Sequence, residues 1–369
     1  MPLTKVRNQG LSFTSGVRNL IINGAMQVAQ RGTSAVAAGA GTYPSLDRFK
    51  AWEDTDGAFT VEQSTTAPAG FTTSLKAQVT TADTSLAAAQ YAQLSQQIEA
   101  QNLQHLEYGT SGAKTLTLSF HVRSSKTGSY SITIYKNDST EYLFSKSYTI
   151  DSADTWEKKT ITITPDSNIK ASGGAIANDN GIGFYVFWNL AGGTNYDDAT
   201  DNAWSSNTSH FHTNSQVNWM DNTSNNFYLT GVQLEVGDSA SNFEHRSIGD
   251  ELRRCQRYYC QIVGGGEGSA ANKNIANGSY YTSSYVQGIL QLPVTMRANP
   301  SLVHTTGSNY YGIVGGYAVR TFNNFILDAF SHRNAVAIYN SGSVSGTQGD
   351  GGFLYANNAS AALGFDAEL

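Results

Sequence analysis

Apolar and polar residues alternate with a period of two in many short segments of the first 236 residues, and this limits the fold more than any other feature of the chain. In residues 115–123, Leu116, Leu118, Phe120 and Val122 fall on one face and polar side chains on the other, the pattern of a strand buried on one side. Residues 59–62, 75–79, 91–98, 128–135, 144–150, 156–163, 182–188 and 227–236 read as further strands, separated by turn clusters such as 136–139 and 178–181. About nine or ten strands, with turn signals every 8–12 residues or so, predict a two-sheet sandwich in an all-β chain. Composition agrees: only 14% of residues are charged, while 36 glycines and 20 tyrosines suit turn-rich β structure with a hydrogen-bonding surface.

A chain of 369 residues has room for a second core. The one convincing helix is predicted over residues 247–262. Ser247 is placed to cap it with Asp250 at the third position, and Arg253, Arg254 and Arg257 lie toward its C-terminal end, where the dipole favours cations. Ile248, Leu252, Cys255 and Tyr259 form one apolar stripe. So short a helix is marginal alone and must pack on its own sandwich or on symmetry-related copies. Residues 264–269 read as a linker, since no strand and helix flank them as in a phosphate loop. Short strands at 280–294, 317–322, 324–328, 335–339 and 361–368 predict a smaller C-terminal β domain over 263–369.

Several classes are disfavoured. A net charge of −6 with scattered Lys and Arg supplies no basic stripe for nucleic acid. No apolar run approaches the ~20 residues that cross a bilayer, so no membrane insertion is expected, and the first residues lack the apolar core of a secretory signal. Cys255 and Cys260 fit neither a redox pair nor a zinc pair. There is no HExxH and no Gly-x-Ser-x-Gly elbow; the spacing of paired glycosidase carboxylates is spatial and sequence does not reveal it. No enzyme activity, metal or cofactor is expected.

Two segments carry a resemblance. Asn19-Leu-Ile-Ile-Asn-Gly near the start and Val232-Gln-Leu-Glu at the end of the predicted sandwich resemble the first and last strands of carbohydrate-binding-module jelly rolls. In those modules acidic residues near these strands often hold a structural calcium. The matching positions here, Gln27 and Thr230, offer neutral oxygens, which alone make a weak calcium site. The ordered motifs Gln97-Ile-Glu, Tyr108-Gly-Thr, Ala113-Lys-Thr-Leu-Thr-Leu-Ser-Phe, Gly231-Val-Gln-Leu-Glu-Val-Gly and Arg253-Arg-Cys-Gln-Arg-Tyr-Tyr look like a domain of tail-fibre and tailspike-like proteins of tailed bacteriophages. Leu292-Pro-Val-Thr-Met-Arg-Ala-Asn-Pro is similar to a segment of their C-terminal domains.

That resemblance implies a homotrimeric virion protein with a jelly-roll sandwich over 17–246, a connecting helix over 247–262 and a distal C-terminal domain over 263–369. Its expected partners are its own copies, other tail proteins and host surface polysaccharide; the alternatives are a structural spacer or head decoration protein that binds no sugar, or a polysaccharide depolymerase. Residues 1–16 are either a tail without a core or a docking arm through Leu3, Val6, Leu11 and Phe13 that orders on the virion. The stripe Ile248, Leu252, Cys255 and Tyr259 is the candidate meeting place of copies.

Residues 189–225 are a long polar insertion that carries Tyr196, Asp198, Trp204 and Trp219, aromatics among amides and acids. A sugar site needs that mixture, because an apolar sugar face stacks on a ring while its hydroxyls seek donors and acceptors. The alternative is that the two tryptophans pin the insertion to the sandwich. Tyr310 and Tyr311, in a Tyr- and Asn-rich loop, are a second set of candidate glycan contacts. His210 and His212 stand two apart, but two ligands without a third make no metal site.

Overall fold

The computed structural model describes residues 18–316 and 318–369. The expected docking residues Leu3, Val6, Leu11 and Phe13 therefore lie outside the described residues. The first domain contains β1 (Val36–Ala37), β2 (Ala40–Thr42), β3 (Lys50–Asp54), β4 (Ala58–Ser64), β5 (Ser74–Thr81), β6 (Tyr91–Glu99), β7 (Leu116–Ser124), β8 (Gly128–Lys136), β9 (Tyr142–Ile150), β10 (Glu157–Ile163), β11 (Ile182–Gly192), β12 (Ala203–Ser205) and β13 (Asn226–Val236). Two antiparallel sheets result, ordered β1-β4-β5-β13-β7-β10 and β12-β9-β8-β11-β6-β3-β2. Consecutive strands cross repeatedly from one sheet to the other, the winding of a jelly-roll sandwich.

Period-two alternation decides what lies between the sheets. Leu116, Leu118, Phe120 and Val122 are fully buried, as expected, and belong to one core with Leu94, Ile132, Ile134, Phe184, Val186 and Trp188 of the other sheet. On β13, Val232 and Leu234 join that core, whereas Val236 is 42% exposed. The ladder between β7 and β13 slips between Thr230 and Gln233. Gly231 sits at the slip with φ +61°, a left-handed conformation that a side chain resists. A Cβ there would also meet the Phe71 ring at 2.6 Å.

One expected strand is corrected. Residues 18–27 form no ladder: Asn23 takes a positive φ of 61° in the Asn-Gly turn, and the turn closes with Met26 N donating to Asn23 O at 2.9 Å. The segment still runs beside β13, through Leu20 N to Leu234 O at 2.9 Å and Asn19 Nδ2 to Val232 O at 3.0 Å. Asn side chains replace the regular ladder.

The helix spans Ile248–Gln256, and Ser247 caps it by accepting from Asp250 N. It is shorter than the expected 247–262 because the chain turns after Arg257 into strand β14 (Tyr259–Val263). Tyr259 is thus a strand residue, opposite Asp366. Cys255 and Tyr259 are both buried within the chain itself, while Leu252 is half-buried and Ile248 is 57% exposed. The predicted stripe is therefore not a single face awaiting copies: its second half packs inside this chain.

The C-terminal domain has β15 (Lys273–Thr282), β16 (Tyr285–Gln291), β17 (Ser301–His304), β18 (Tyr311–Gly315), β19 (Ala318–Phe322), β20 (Ile326–Leu327), β21 (Ala335–Ser341), β22 (Gly351–Ala356) and β23 (Leu363–Asp366). They build a sheet ordered β19-β18-β22-β15-β16-β21-β20 and a smaller one ordered β14-β23-β17. Tyr280, Val286, Ile313, Ile338, Leu354 and Phe365 lie in its own core.

The predicted linker is no loose tether, since Gly266 N donates to Gln30 O of the sandwich at 2.8 Å. The domains are joined by a buried polar seam. Arg48 pairs with Glu368, at side-chain exposures of 1% and 5%, and stacks on Tyr258 at 3.5 Å. Arg31 pairs with Asp366 at 3.0 Å and covers the Tyr259 ring at 3.6 Å. Asp47 accepts from Gln30 N at 2.8 Å, and Gln30 Nε2 donates to Tyr259 O at 2.7 Å.

Candidate functional site

The outward face of the seven-stranded sheet departs from an ordinary solvated surface. Strand pairing brings Trp52 of β3 opposite Gln93 of β6, Gln93 opposite Asn189 of β11, and Tyr185 of β11 opposite Tyr135 of β8. Because alternate residues share a face, Tyr185, Phe187 and Asn189 all point away from the core that Phe184, Val186 and Trp188 enter. Aromatic rings thus occupy positions where the other sheet carries polar groups.

The long insertion folds back over this face and supplies a wall. Phe211 O accepts from Thr133 Oγ1, from Ser145 Oγ at 2.9 Å and from Asn189 Nδ2 at 3.3 Å. Phe211 N in turn donates to Tyr196 O at 2.9 Å. The approach is close: a Cβ at Gly192 would meet His212 Nε2 at 2.2 Å, so any side chain there would have to push the His212 ring aside.

The result is a groove of about 250 Å³ lined by Trp52, Tyr91, Gln93, Tyr135, Tyr185, Phe187, Tyr196 and Phe211, none of them charged. Tyr185 and Phe187 lie parallel at 5.3 Å and 7°, and Tyr135 continues the row at 5.6 Å and 22°. Phe211 meets Phe187 edge-on at 5.3 Å, Tyr196 meets Tyr91 edge-on at 5.4 Å, and Trp52 closes the far side 6.4 Å from Phe187.

Polar groups between the rings are held in fixed orientations. Gln93 Nε2 donates to Asn189 Oδ1 at 2.8 Å, and Trp52 Nε1 donates to Ser95 Oγ at 2.8 Å. Burial pushes the Tyr185 phenol up from its ordinary range, against a hydrogen bond with Gln97. Tyr135 is pushed up by burial and by its hydrogen bond with Glu141, and Tyr91 by burial and the nearby Asp54. These phenols stay protonated at neutral pH and keep both a donor and an acceptor.

Of the residues expected from sequence, only Tyr196 lines the groove. Trp204 faces the core: its ring packs 5.5 Å from Phe144 and its Nε1 donates to Thr164 O at 3.0 Å. Trp219 is fully buried, edge-on to Phe59 at 5.6 Å, and presents no face to a ligand. Both pin the insertion to the sandwich. Asp198 is exposed but bonded reciprocally to Asn214.

In the other domain, Tyr311 is fully buried and its hydroxyl donates to Thr305 O and Ala362 O at 2.9 and 2.7 Å. Tyr310 packs against the same core. Neither Tyr310 nor Tyr311 reaches the groove.

No group of three or more His, Cys, Asp or Glu is placed to hold a metal among the described residues. Thr230 is buried with its hydroxyl donating to Thr73 O at 2.9 Å, and Gln27 is exposed, so the two do not fit a calcium ion. His210 bonds Asn207 at 3.0 Å. His212 is buried, and burial lowers its pKa.

Sequence reasoning missed Trp52, Tyr91, Gln93, Tyr135, Tyr185, Phe187 and Phe211. The available signal was aromatic residues at alternate, outward positions of strands such as residues 182–188, where both faces are apolar.

Neither a family model nor a curated protein sequence matches the chain. Among solved structures it is similar to TmCBM61 in complex with β-1,4-galactotriose, at 12% identity and a TM-score of 0.30, over 60% of this chain and 100% of that one. It is similar to the family 11 carbohydrate-binding module from Clostridium thermocellum, in complex with a β-1,3-1,4-mixed-linked tetrasaccharide, at 11% identity and a TM-score of 0.28, over 54% of this chain and 91% of that one. It is also similar to the enzymatically active domain of Bacteriophage CBA120 tailspike protein 4, at 12% identity and a TM-score of 0.30, over 59% of this chain but 21% of that one. Likenesses of this extent leave the functional reading to the groove itself.

Proposed function

We propose that the chain is a glycan-binding protein, and that it serves as a homotrimeric attachment component of a tailed-phage virion that holds host surface polysaccharide. The observation that carries the binding step is the uncharged groove with parallel rings at Tyr135, Tyr185 and Phe187 and oriented amides between them. A pyranose has an apolar face of C–H groups and a rim of hydroxyls. The rings receive the first, and Gln93 with the phenols of Tyr91, Tyr135 and Tyr185 receives the second. The attachment role and the trimer extend this binding reading along the resemblance that the sequence motifs bear to phage fibre proteins.

The test is titration of the full chain against a panel of neutral oligosaccharides and against host cells, repeated with Trp52→Ala and Tyr185→Ala. Binding that collapses in both variants while the fold persists is expected. Absence of binding to every glycan and every cell type would leave the sandwich as a spacer and sink the reading. Solution mass and antibody labelling of virions test the trimer and its location.

A further inference from the structure

Two adjoining clefts lie where the connecting helix sits between the sandwich and the C-terminal domain. One, of about 680 Å³, is walled by Arg246, Arg253, Arg254, Arg257 and Thr295 among others. Its neighbour, of about 580 Å³, shares Arg254, Arg257 and Thr295 and adds Gln101, Asn102 and Arg333. Five of the chain's twelve arginines therefore face these clefts, in a chain whose net charge is −6. Such concentration against the overall charge makes a local cationic surface.

The five are not equally engaged. Arg257 forms a two-pronged pair with Glu99 at 2.7 and 2.8 Å, which fixes its guanidinium at the rim. Arg246 is held by Glu244 at 3.1 Å and Glu251 at 3.4 Å. The side chains of Arg253, Arg254 and Arg333 have no hydrogen bond or ion pair among the described residues. The acids in the wall are already occupied: Glu244 also accepts from Asn19 N at 2.7 Å, and Asp250 accepts from Ser247 Oγ at 2.6 Å. Three planar forks of donors are left open, beside the exposed Asn102 and Thr295.

A guanidinium fork matches the two oxygens of a carboxylate or a phosphate, and neighbouring amides and hydroxyls match a polyol. We propose that this cleft binds an acidic glycan, a sugar chain bearing carboxylate or phosphate groups, with Arg253, Arg254 and Arg333 taking its charges. This rests on the glycan reading of the chain but uses a surface separate from the aromatic groove. The groove holds neutral sugar faces, whereas the cleft selects charge.

The experiment measures binding of the full chain to three fluorescent probes: a neutral oligosaccharide, an oligogalacturonide and a phosphorylated oligosaccharide. Wild type is compared with the triple variant Arg253→Gln, Arg254→Gln, Arg333→Gln and with Tyr185→Ala. The triple variant is expected to lose roughly tenfold or more in affinity for an acidic probe, with a weaker salt dependence and unchanged binding of the neutral probe. Tyr185→Ala is expected to do the reverse.

Whichever acidic probe binds more tightly identifies the charged group. If neither acidic probe binds wild type, or if the triple variant binds both as wild type does, the proposal is overturned. A result in which inorganic phosphate alone binds overturns it too. Loss of neutral binding in wild type would strike the groove and leave the acidic arms to be judged by themselves. Because Arg253 and Arg333 are exposed, the double variant Arg253→Gln, Arg333→Gln provides a folded fallback with a smaller loss.

Discussion

The two sheets of the sandwich share one core but turn unlike faces outward. On the six-stranded sheet the outward residues include Lys76 paired with Glu62 at 2.8 Å and Arg123 paired with Asp154 at 3.1 Å, the pattern of a solvated surface. On the seven-stranded sheet the corresponding positions hold Trp52, Tyr135, Tyr185 and Phe187, with amides and hydroxyls between them. On the first face the outward aromatic, Tyr228, is covered by Trp156 at 6.0 Å and by Arg123 at 5.0 Å and opens no groove. The second carries apolar area that folding alone does not require, and one end of it is sealed by the C-terminal domain while the other stays open.

Four measurements bear on that contrast. The largest effect belongs to Trp219, which lies inside the sandwich. Trp219→Ala is expected to cost about 3–5 kcal/mol of stability, read as a fall in the denaturation midpoint, whereas Trp52→Ala is expected to spare the fold. Equal destabilisation by the two would erase the distinction between inner and outer rings.

The second measurement concerns the sealed end. Burial pushes the Asp47 carboxyl up to about 6, against the pull of Arg31 and the hydrogen bonds from Gln30. The folded state then keeps a proton up to about pH 6, while the unfolded chain releases it near the ordinary carboxyl value of 3.8. Between these values the folded state binds more protons, so the Asp47 contribution to stability is greatest below the lower value and is lost as pH rises through the upper one. The span corresponds to roughly 3 kcal/mol. Asp47→Asn should flatten that part of the profile in denaturant melts, and an unchanged profile would show that the seam is wetter than the structure has it.

At the open end, Tyr185→Ala is expected to weaken glycan binding by about 2 kcal/mol, roughly thirtyfold in Kd, with the midpoint of unfolding little changed. The smallest effect is on the solvated face. Glu62→Gln removes a half-exposed ion pair, worth less than about 1 kcal/mol, and should leave glycan titrations as they were. A loss of binding there would mean that the wrong face has been assigned.

Much of the fold was legible in the sequence because strands buried on one side must alternate. Residues 115–123 announce both their extent and their inward face, whereas in 227–236 the bulge at Gly231 shifts the inward set from Phe227 and Leu229 to Val232 and Leu234 and leaves Val236 exposed. The groove was not legible for the same reason. In β11 the run of Phe184, Tyr185, Val186, Phe187 and Trp188 is apolar on both faces, so period two assigns no side to the core and no side to a ligand. The insertion stands out in the sequence by its length and polarity, and of its candidate residues Tyr196 lines the groove. Its tryptophans point inward because their large apolar surface is better used in the core. The helix stripe failed differently, since helical spacing was extended past Arg257, where the chain had already turned into β14.

The pairing of Glu368 with Arg48 has a mechanical meaning. A domain attached by one segment swings about it under load. Here the C-terminal domain meets the sandwich where β14 leaves the helix and again beyond β23, so a pull on that domain is divided between two attachments that must yield together. Arg297 reinforces the second attachment, donating to Ala367 O and Glu368 O at 2.8 Å and to Asn180 O of the sandwich at 2.9 Å. Separating the domains therefore requires these contacts to break along with those at the start of β14.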